Sequence, residues 1–162
     1  HVEVGYNYRM SNVLTGIGRG QMRVLEQRVD QRRRVFDIYR RELADMPHLE
    51  WMPEPQGYRS TRWLTCFALR GEDAKEQRDF LMRSLERHSI EARPVWKPMH
   101  LQPLFRGAPY FAHAEGDDVC GTLFEGGICL PSGSNMDDTQ IDRVIGQLRR
   151  ALEQAGVERA PG

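Results

Sequence analysis

The chain has 162 residues, with 23 basic and 23 acidic side chains, so its formal net charge at pH 7 is zero. A neutral chain offers no large basic field for nucleic acid, and its apolar runs are far too short to cross a bilayer. We therefore expect neither a nucleic-acid nor a membrane partner. The sequence begins at His1 without a methionine or a signal-like apolar run, which predicts a piece of a longer protein.

Cysteine usage indicates a reducing compartment. The three cysteines, Cys66, Cys120 and Cys129, lie among apolar residues and show no C-x-x-C spacing. This pattern is typical of reduced, buried thiols in the cytoplasm, and it predicts neither a disulfide framework nor a zinc site.

The most unusual stretch is the opening segment, Gly5-Tyr6-Asn7-Tyr8-Arg9-Met10, which is polar and aromatic where a helix entry is ordinarily aliphatic. Asn7 and Arg9 supply a neutral and a cationic donor, and both suit an anionic ligand such as a phosphate. The neighbouring tyrosine rings limit how far those donors can move. The opening segment therefore predicts binding of a phosphate-bearing ligand.

Helical patterning starts directly after the opening segment. Ser11 is a good N-cap, although the glycines that follow it weaken an isolated helix. A small-residue face at Gly16 and Gly20 would let another backbone approach closely, as in a buried or intersubunit helix. The alternative is a flexible entry loop.

A long amphipathic helix is predicted from Arg23 to about Met46, where apolar residues keep helical spacing until Pro47 stops it. The run Arg32-Arg33-Arg34 in its middle could form an anion-binding stripe. Because acidic residues interleave with these arginines, we favour a solvated helix face with spaced ion pairs.

The middle of the chain predicts two strands and a helix. Residues 63–69 are apolar on both alternating faces, as in a covered strand. Asp73 and Glu76 form a capping-box pattern that opens a helix, and residues 90–95 follow as a second strand.

The last third of the chain begins with a rigid loop. Three prolines between Pro94 and Phe105 separate a Trp, a Lys and a His, and loops of this kind often carry sites. A helix over 114–125 with Val119 on its buried side, a third strand over 128–130 and a helix opened by Asp137-Asp138 complete the pattern. This order predicts one compact α/β (α+β) domain, with a small sheet of about three strands covered by helices.

Three segments, in this order, resemble one family: the opening segment with Ser11, then Arg93-Pro94-Val95-Trp96-Lys97-Pro98-Met99-His100, then Leu130-Pro131-Ser132-Gly133-Ser134. They are similar to the C-terminal part of the DegT/StrS family of nucleotide-sugar aminotransferases, which are pyridoxal-phosphate enzymes of the fold-type I aspartate aminotransferase class. The similarity extends from about Gly5 to Leu152. Each motif alone is weak, but three in register are fairly specific.

The resemblance implies a domain organisation and a set of partners. Residues 1–22 would be the tail end of a large cofactor-binding domain, residues 23–154 the small C-terminal domain, and residues 155–162 a flexible tail. The parent protein would be a cytoplasmic homodimer that binds pyridoxal 5'-phosphate, a nucleotide-sugar substrate and an amino-acid donor.

The resemblance also implies roles for individual residues. Asn7 would reach the cofactor phosphate held by the partner subunit, and Arg9 would contact the anionic nucleotide sugar. His100 matches the histidine on a loop over the nucleotide-sugar site, with a purely structural role as the alternative. Trp96 could stack on a sugar or base, although we favour a buried anchor.

The chain contains only two lysines, Lys75 and Lys97. A pyridoxal-phosphate aminotransferase needs a lysine amine for its Schiff base. In the family this lysine lies upstream of everything present here, so the resemblance assigns the role to neither residue, and Lys75 lies in a solvated helical turn. The chain by itself is therefore predicted not to catalyse transamination.

Three functions remain open on the sequence. The first is a parent enzyme that transfers an amino group, from glutamate as the expected donor, to a nucleotide-linked keto sugar. The second is a related deoxysugar dehydratase in which the lysine is replaced. The third is a free-standing dimerisation or regulatory module without chemistry. For a fragment, we also expect an exposed apolar surface where the large domain would sit.

Overall fold

The computed structural model describes residues 5–46 and 48–157. In chain order its helices and strands are α1 (Asn12–Glu42), β1 (Leu49–Trp51), β2 (Thr65–Leu69), α2 (Ala74–Glu86), β3 (Arg93–Pro94), α3 (Val119–Gly126), β4 (Gly127–Leu130) and α4 (Asp138–Gln154). Two short 3-10 turns, Met99–Leu101 and Pro103–Phe105, lie between β3 and α3. The α/β class predicted from the sequence is confirmed.

The strands form one antiparallel sheet in the order β1-β2-β4-β3. Every residue of β2 and of β4 is buried, because these two apolar strands occupy the centre of the sheet. Their register pairs Thr65 with Leu130 and Phe67 with Ile128. The sequence predicted about three strands, and the structure adds a fourth.

The hydrophobic core lies between one face of the sheet and the helices α1, α2 and α4. Tyr39 on α1 is fully buried, and its hydroxyl donates to the Pro131 carbonyl at 3.2 Å. Burial raises the pKa of the Tyr39 hydroxyl. The largest fully buried side chains are Tyr39, Phe67, Leu43, Met46, Leu69, Leu81, Leu85, Ile128, Ile141, Leu148, Leu152 and Val35.

The other face of the sheet is open. Cys66 and Ala68 of β2 point to this face, beneath a cleft of about 590 Å³ whose walls include Trp51, Trp96 and Leu123. We call it the sheet cleft. Its lining is mainly apolar, and the expectation that the large domain would cover an apolar surface of this chain stays a prediction.

One continuous helix, α1, replaces the predicted glycine-weakened start and the separate long helix. The Ser11 hydroxyl accepts from the Leu14 amide at 3.3 Å, so the predicted N-cap is confirmed. The helix ends at Glu42 rather than near Met46. Pro47, the predicted stop, lies outside the described residues.

The arginine run on α1 is a solvated face only in part: Arg34 is exposed and pairs with Asp138, as predicted, whereas Arg32 and Arg33 are half-buried. Arg32 donates to the carbonyl of Ser132 at 3.1 Å, and Arg33 forms a two-pronged ion pair with Glu54 at 2.7 and 2.9 Å. Arg33 also donates to the Ser60 carbonyl at 2.6 Å. These half-buried guanidinium groups fasten α1 to the connecting loops, because internal oxygens take the donors that an anion would need.

In the middle of the chain one prediction is wrong and another is correct only in part. Asp73 precedes α2 but makes no side-chain capping bond, so the predicted capping box is absent there. The strand predicted over 90–95 shrinks to Arg93–Pro94. Ile90 instead donates its amide to the Leu85 carbonyl at 3.0 Å, because it belongs to the turn that ends α2.

The predicted edges of two other elements also shift. The strand expected from residue 63 begins at Thr65, and the helix expected over 114–125 begins at Val119. Val119 is exposed rather than buried, since it faces the sheet cleft. Strand β1 was missed because its three residues leave too short a run for a period to show.

The C-terminal end packs further than expected. Val157 is buried, and its amide donates to the Leu152 carbonyl at 3.0 Å. Residues 155–157 are therefore part of the packed unit, and the rest of the predicted tail lies outside the described residues. Among the residues that the structure describes, no helix is long and apolar enough to span a membrane.

Candidate functional site

The opening segment leads to the first turn of α1 without forming helix or strand, and all six of its residues are exposed. The Asn7 Oδ1 atom accepts the Arg9 amide at 2.9 Å, which fixes the carboxamide in a local turn. The rings of Tyr6 and Tyr8 lie 6.0 Å apart and tilted. The Asn7 NH2 group donates to no described residue, so it is available to a phosphate oxygen.

The first half of α1 follows the opening segment, and most of its apolar side chains are exposed, although Glu26 forms an ion pair with Arg59 at 2.7 Å. Val13, Leu14 and Ile17 are exposed by 73%, 57% and 56%. A Cβ built on Gly16 or Gly20 would meet nothing within 4 Å. The close backbone approach predicted for these glycines therefore stays a prediction, and it concerns a surface outside this part of the molecule.

His100 is held in a small polar cluster, which we call the His100 cluster: His100, Tyr110 and Asp118. The His100 Nε2 atom lies 2.9 Å from Asp118 Oδ2, and the Tyr110 hydroxyl donates to Asp118 Oδ1 at 3.0 Å. The His100 and Tyr110 rings stack with centroids 3.8 Å apart. Two side chains, Tyr110 and Asp118, thus fix the imidazole of His100.

Asp118 links this cluster to the fold. It is the N-cap of α3, and its Oδ1 atom accepts the Gly121 amide at 2.9 Å. The hydrogen bond with His100, then the Gly121 amide and the Tyr110 hydroxyl, hold the pKa of the Asp118 carboxyl below its usual range. The carboxylate therefore stays charged at neutral pH, where it can orient the imidazole.

Trp96 is 65% exposed, so the favoured interpretation as a buried anchor is wrong. Its ring packs against that of Trp63 with centroids 5.9 Å apart, on the rim of the sheet cleft. Trp63 precedes β2 and Trp96 follows β3, so both indoles lie just outside the strands, and both are exposed. An exposed indole retains a face on which a flat ligand could stack.

Neither lysine has the surroundings of a Schiff-base residue. Lys75 is exposed and its ammonium lies 3.3 Å from an Asp79 carboxylate oxygen one helical turn away. Lys97 is exposed on the rim of the sheet cleft. A Schiff-base lysine needs a desolvated amine or a neighbouring cation, and these exposed side chains show neither feature.

The cysteines divide into two kinds. Cys66 and Cys129 are buried, as predicted, whereas Cys120 on the exposed side of α3 is not. Helix α3 starts later than the sequence suggested, and this shift leaves Cys120 near the mouth of the sheet cleft. Within the described ranges no group of three or more His, Cys, Asp and Glu side chains could hold a metal ion.

The structure brings some predicted site residues together and leaves others apart. Trp96 and His100 share the loop after β3, while Asn7 and Arg9 lie ahead of α1 and contact neither of them among the described residues. Sequence reasoning missed Tyr110 and Asp118. An N-cap signal at Asp118 was available, but the helix had been placed five residues too early for that signal to be read.

Comparison with known proteins assigns the chain to a family. The model of the DegT/DnrJ/EryC1/StrS aminotransferase family matches residues 1–149. EpsN of Bacillus subtilis, whose name places it among pyridoxal phosphate-dependent aminotransferases, is 45% identical over 145 residues, which are 90% of this chain and 37% of EpsN. GDP-perosamine synthase of Caulobacter vibrioides is 34% identical over 155 residues, 92% of this chain and 39% of that protein.

A solved structure shows the same fold. PseC of Helicobacter pylori, an aminotransferase involved in the biosynthesis of pseudoaminic acid, superimposes with a TM-score of 0.79 at 16% identity, over 94% of this chain and 40% of PseC. The chain thus spans about two fifths of the length of the relatives it matches. It belongs to the DegT/DnrJ/EryC1/StrS aminotransferase family.

Proposed function

We propose that the whole protein containing this chain is a pyridoxal-phosphate aminotransferase that moves an amino group, from glutamate, to a keto sugar carried on a nucleotide diphosphate. The family match over residues 1–149 carries this proposal. A relative named GDP-perosamine synthase, at 34% identity, supports a nucleotide sugar as the acceptor. The protein would act in the cytoplasm as a homodimer.

Asn7 would contact the cofactor phosphate held by the partner subunit. The residues present fit this role, since Asn7 is exposed, its Oδ1 atom accepts the Arg9 amide, and its NH2 group has no acceptor among residues 5–46 and 48–157. An amide donor matches a phosphate oxygen without adding a charge. Arg9, which is exposed and lies two residues after Asn7, would contact the anionic part of the substrate.

His100 would bind the nucleotide sugar from the loop after β3. Asp118 accepts from Nε2 at the edge of the imidazole at 2.9 Å, and the face of the ring stacks on Tyr110. The other ring nitrogen, Nδ1, then points in a defined direction, where it accepts from a sugar hydroxyl when the imidazole is neutral and donates to a phosphate oxygen when it is protonated. Trp96 on the same loop would offer its exposed ring to the sugar or base.

Pyridoxal phosphate, when bound, supplies the aldehyde that accepts an amino group and the ring that takes up the electrons of the broken bond. This chain contributes to binding and orientation but not the Schiff-base lysine. The two lysines present are exposed, so we propose that the chain alone does not transfer amino groups.

The complete protein tests the proposed activity. It should be purified as a dimer and should show the cofactor absorbance band together with amino transfer from glutamate to a nucleotide-linked keto sugar. Failure of both measurements would contradict the proposal. A band without amino transfer, but with loss of water from a deoxysugar nucleotide, would favour the dehydratase.

The role of Asn7 is tested with Asn7→Asp, which replaces the amide donor with a carboxylate that a phosphate repels. We expect cofactor affinity to fall at least about tenfold, equivalent to about 1.4 kcal/mol. Asn12→Asp, the same change on exposed α1, is the matched control and should keep the affinity. Equal affinities for the two variants would remove Asn7 from the cofactor site.

The role of His100 is tested with His100→Ala in the complete protein. We expect a higher KM for the nucleotide sugar and an unchanged KM for the amino donor, and His113→Ala, an exposed histidine on the next loop, should change neither. In parallel, loss of the imidazole should raise the pKa of Asp118 in a carbon NMR titration, because its largest stabilising hydrogen bond is gone. Tyr110→Phe should raise that pKa less.

A further inference from the structure

Two buried thiols face each other in the centre of the sheet. Cys66 on β2 and Cys129 on β4 are directly opposed in the strand register, and their sulfur atoms lie 3.4 Å apart. Both are free cysteines with about 7% of their surface exposed. The chemistry proposed for the enzyme uses neither of them.

The backbone hydrogen bonds explain why the thiols are so close. The Met52 amide donates to the Cys66 carbonyl, so the polar backbone groups of Cys66 turn toward β1. The Val95 amide likewise donates to the Gly127 carbonyl, and the alternation along β4 turns Cys129 toward β3 as well. Cys66 and Cys129 are therefore a non-hydrogen-bonded antiparallel pair.

Such pairs bring side chains closer than any other position in an antiparallel sheet. Their Cα atoms are typically about 4.5 Å apart, compared with about 5.5 Å for hydrogen-bonded pairs. Disulfides are commonly found with Cα atoms about 4.4 to 6.8 Å apart. The two cysteines can therefore be joined without moving a strand.

The surroundings favour reaction at one sulfur. A hydrogen bond from the Cys66 thiol lowers the pKa of Cys129, because it stabilises the Cys129 thiolate. The same hydrogen bond and burial raise the pKa of Cys66. Cys66 also lines the sheet cleft, which gives small molecules a path to this part of the sheet.

We propose that Cys66 and Cys129 form an oxidative modification site, which hydrogen peroxide converts to an intrachain disulfide. The Cys129 thiolate attacks one peroxide oxygen, the O–O bond breaks, and hydroxide leaves with a proton as water. Cys66 sulfur then displaces hydroxide from the Cys129 sulfenic acid, and the Cys66 proton completes a second water. Two thiols lose two electrons and one peroxide gains them.

The bond would tie the two central strands together across a sequence separation of 63 residues. Closing a long loop restricts the unfolded chain, so the oxidised protein should melt at a higher temperature than the reduced protein. Dithiothreitol should reverse the shift. The proposal does not depend on the aminotransferase activity.

The test is peptide mapping of the complete protein after graded exposure to hydrogen peroxide. Free thiols are alkylated in denaturant, so that buried thiols react as well, and the chain is then digested. We expect a peptide pair joined through Cys66 and Cys129, lighter by two hydrogens than the separate peptides, and restored by dithiothreitol. Cys120 serves as the internal comparison, because it is exposed but has no sulfur partner among the described residues.

Variants separate the outcomes. Cys120→Ser should leave the linked pair intact, whereas Cys66→Ser and Cys129→Ser should each abolish it. The wild-type map decides the matter even where a variant folds poorly. Cys66 and Cys129 recovered as free thiols after Cys120 has been oxidised, as separate sulfinic acids, or as links between chains would each overturn the proposal.

Discussion

Two regions of this molecule differ in where their side chains find partners. In the packed region, which consists of the sheet, α2, α4 and the second half of α1, apolar residues meet inside the chain. In the exposed arm, residues 5–28, no residue is buried although Val13, Leu14 and Ile17 are apolar. Among the described residues, the apolar side chains of the core therefore pack against one another, whereas those of the exposed arm stay on the surface.

The exposed arm is also where the proposed cofactor contact lies. Asn7 and Arg9 precede the first turn of α1, and the apolar residues follow them on the same helix. A contiguous apolar surface next to free donors marks an interaction surface more often than a solvated one. We therefore propose that the exposed arm is an interface with the rest of the protein, and the following predictions test this proposal.

The largest effect is expected in the packed region. Leu148 on α4 is completely buried, so Leu148→Ala removes apolar contacts and leaves a cavity. The free energy of unfolding should fall by about 2 to 5 kcal/mol. Denaturant unfolding of the chain measures the loss, and a change below about 1 kcal/mol would show that α4 is not part of a rigid core.

A smaller effect is expected at the helix starts. Asp137 caps α4 by accepting the Gln140 amide at 2.8 Å, and the Gln140 side chain returns to the Asp137 amide at 3.2 Å. Asp137→Ala should therefore lower the free energy of unfolding by about 1 kcal/mol. Asp73→Ala is the matched control, because Asp73 precedes α2 without a side-chain capping bond and should change stability little.

These two aspartates show what could be predicted from the sequence. The periodic apolar residues of α4 and the apolar runs of β2 and β4 were readable because each pattern reflects burial within a single element. A capping box was also readable as a motif, but it was assigned to Asp73, whereas the structure forms it at Asp137. The motif alone does not tell which aspartate turns its side chain back to the helix.

Contacts between distant segments could not be predicted from the sequence. Strand β1 is defined by pairing with β2, and the His100 cluster joins residues 10 and 18 positions apart along an irregular loop. Arg32 and Arg33 looked like surface charges because their oxygen partners lie on loops far along the chain. The opening segment, by contrast, could be recognised as a candidate site because its chemistry is local.

The ion pair between Arg33 on α1 and Glu54 on the loop after β1 predicts that the stability of the fold depends on pH. The ion pair with Arg33 and the Ser60 amide lower the pKa of Glu54 to about 2, compared with an ordinary value of 4.5. A lowered folded-state pKa stabilises the fold above pH 4.5, and this stabilisation is lost as the pH falls toward 2.

Glu54→Gln should remove that part of the acid sensitivity. The variant should melt below the wild type at neutral pH, and the two melting temperatures should converge as the pH falls toward 2. Glu72→Gln, an exposed carboxylate ahead of α2, is the control and should leave the difference constant. Parallel melting curves for Glu54→Gln and the wild type at every pH would mean that the Arg33 pair does not fasten α1.

The smallest effect in the isolated chain tests the comparison most directly. Leu14 has the same side chain as Leu148 and also lies on a helix, but it is 57% exposed. Leu14→Ala should therefore change the free energy of unfolding of the chain by no more than about 0.5 kcal/mol. In the complete protein the same substitution should lower the free energy of unfolding by about 2 kcal/mol or more, because the proposed interface with the rest of the protein would bury Leu14. The two measurements must differ if the exposed arm is an interface. Equal small costs would show that the arm is solvated in the complete protein as well, and the glycine face at Gly16 and Gly20 would then need no partner backbone.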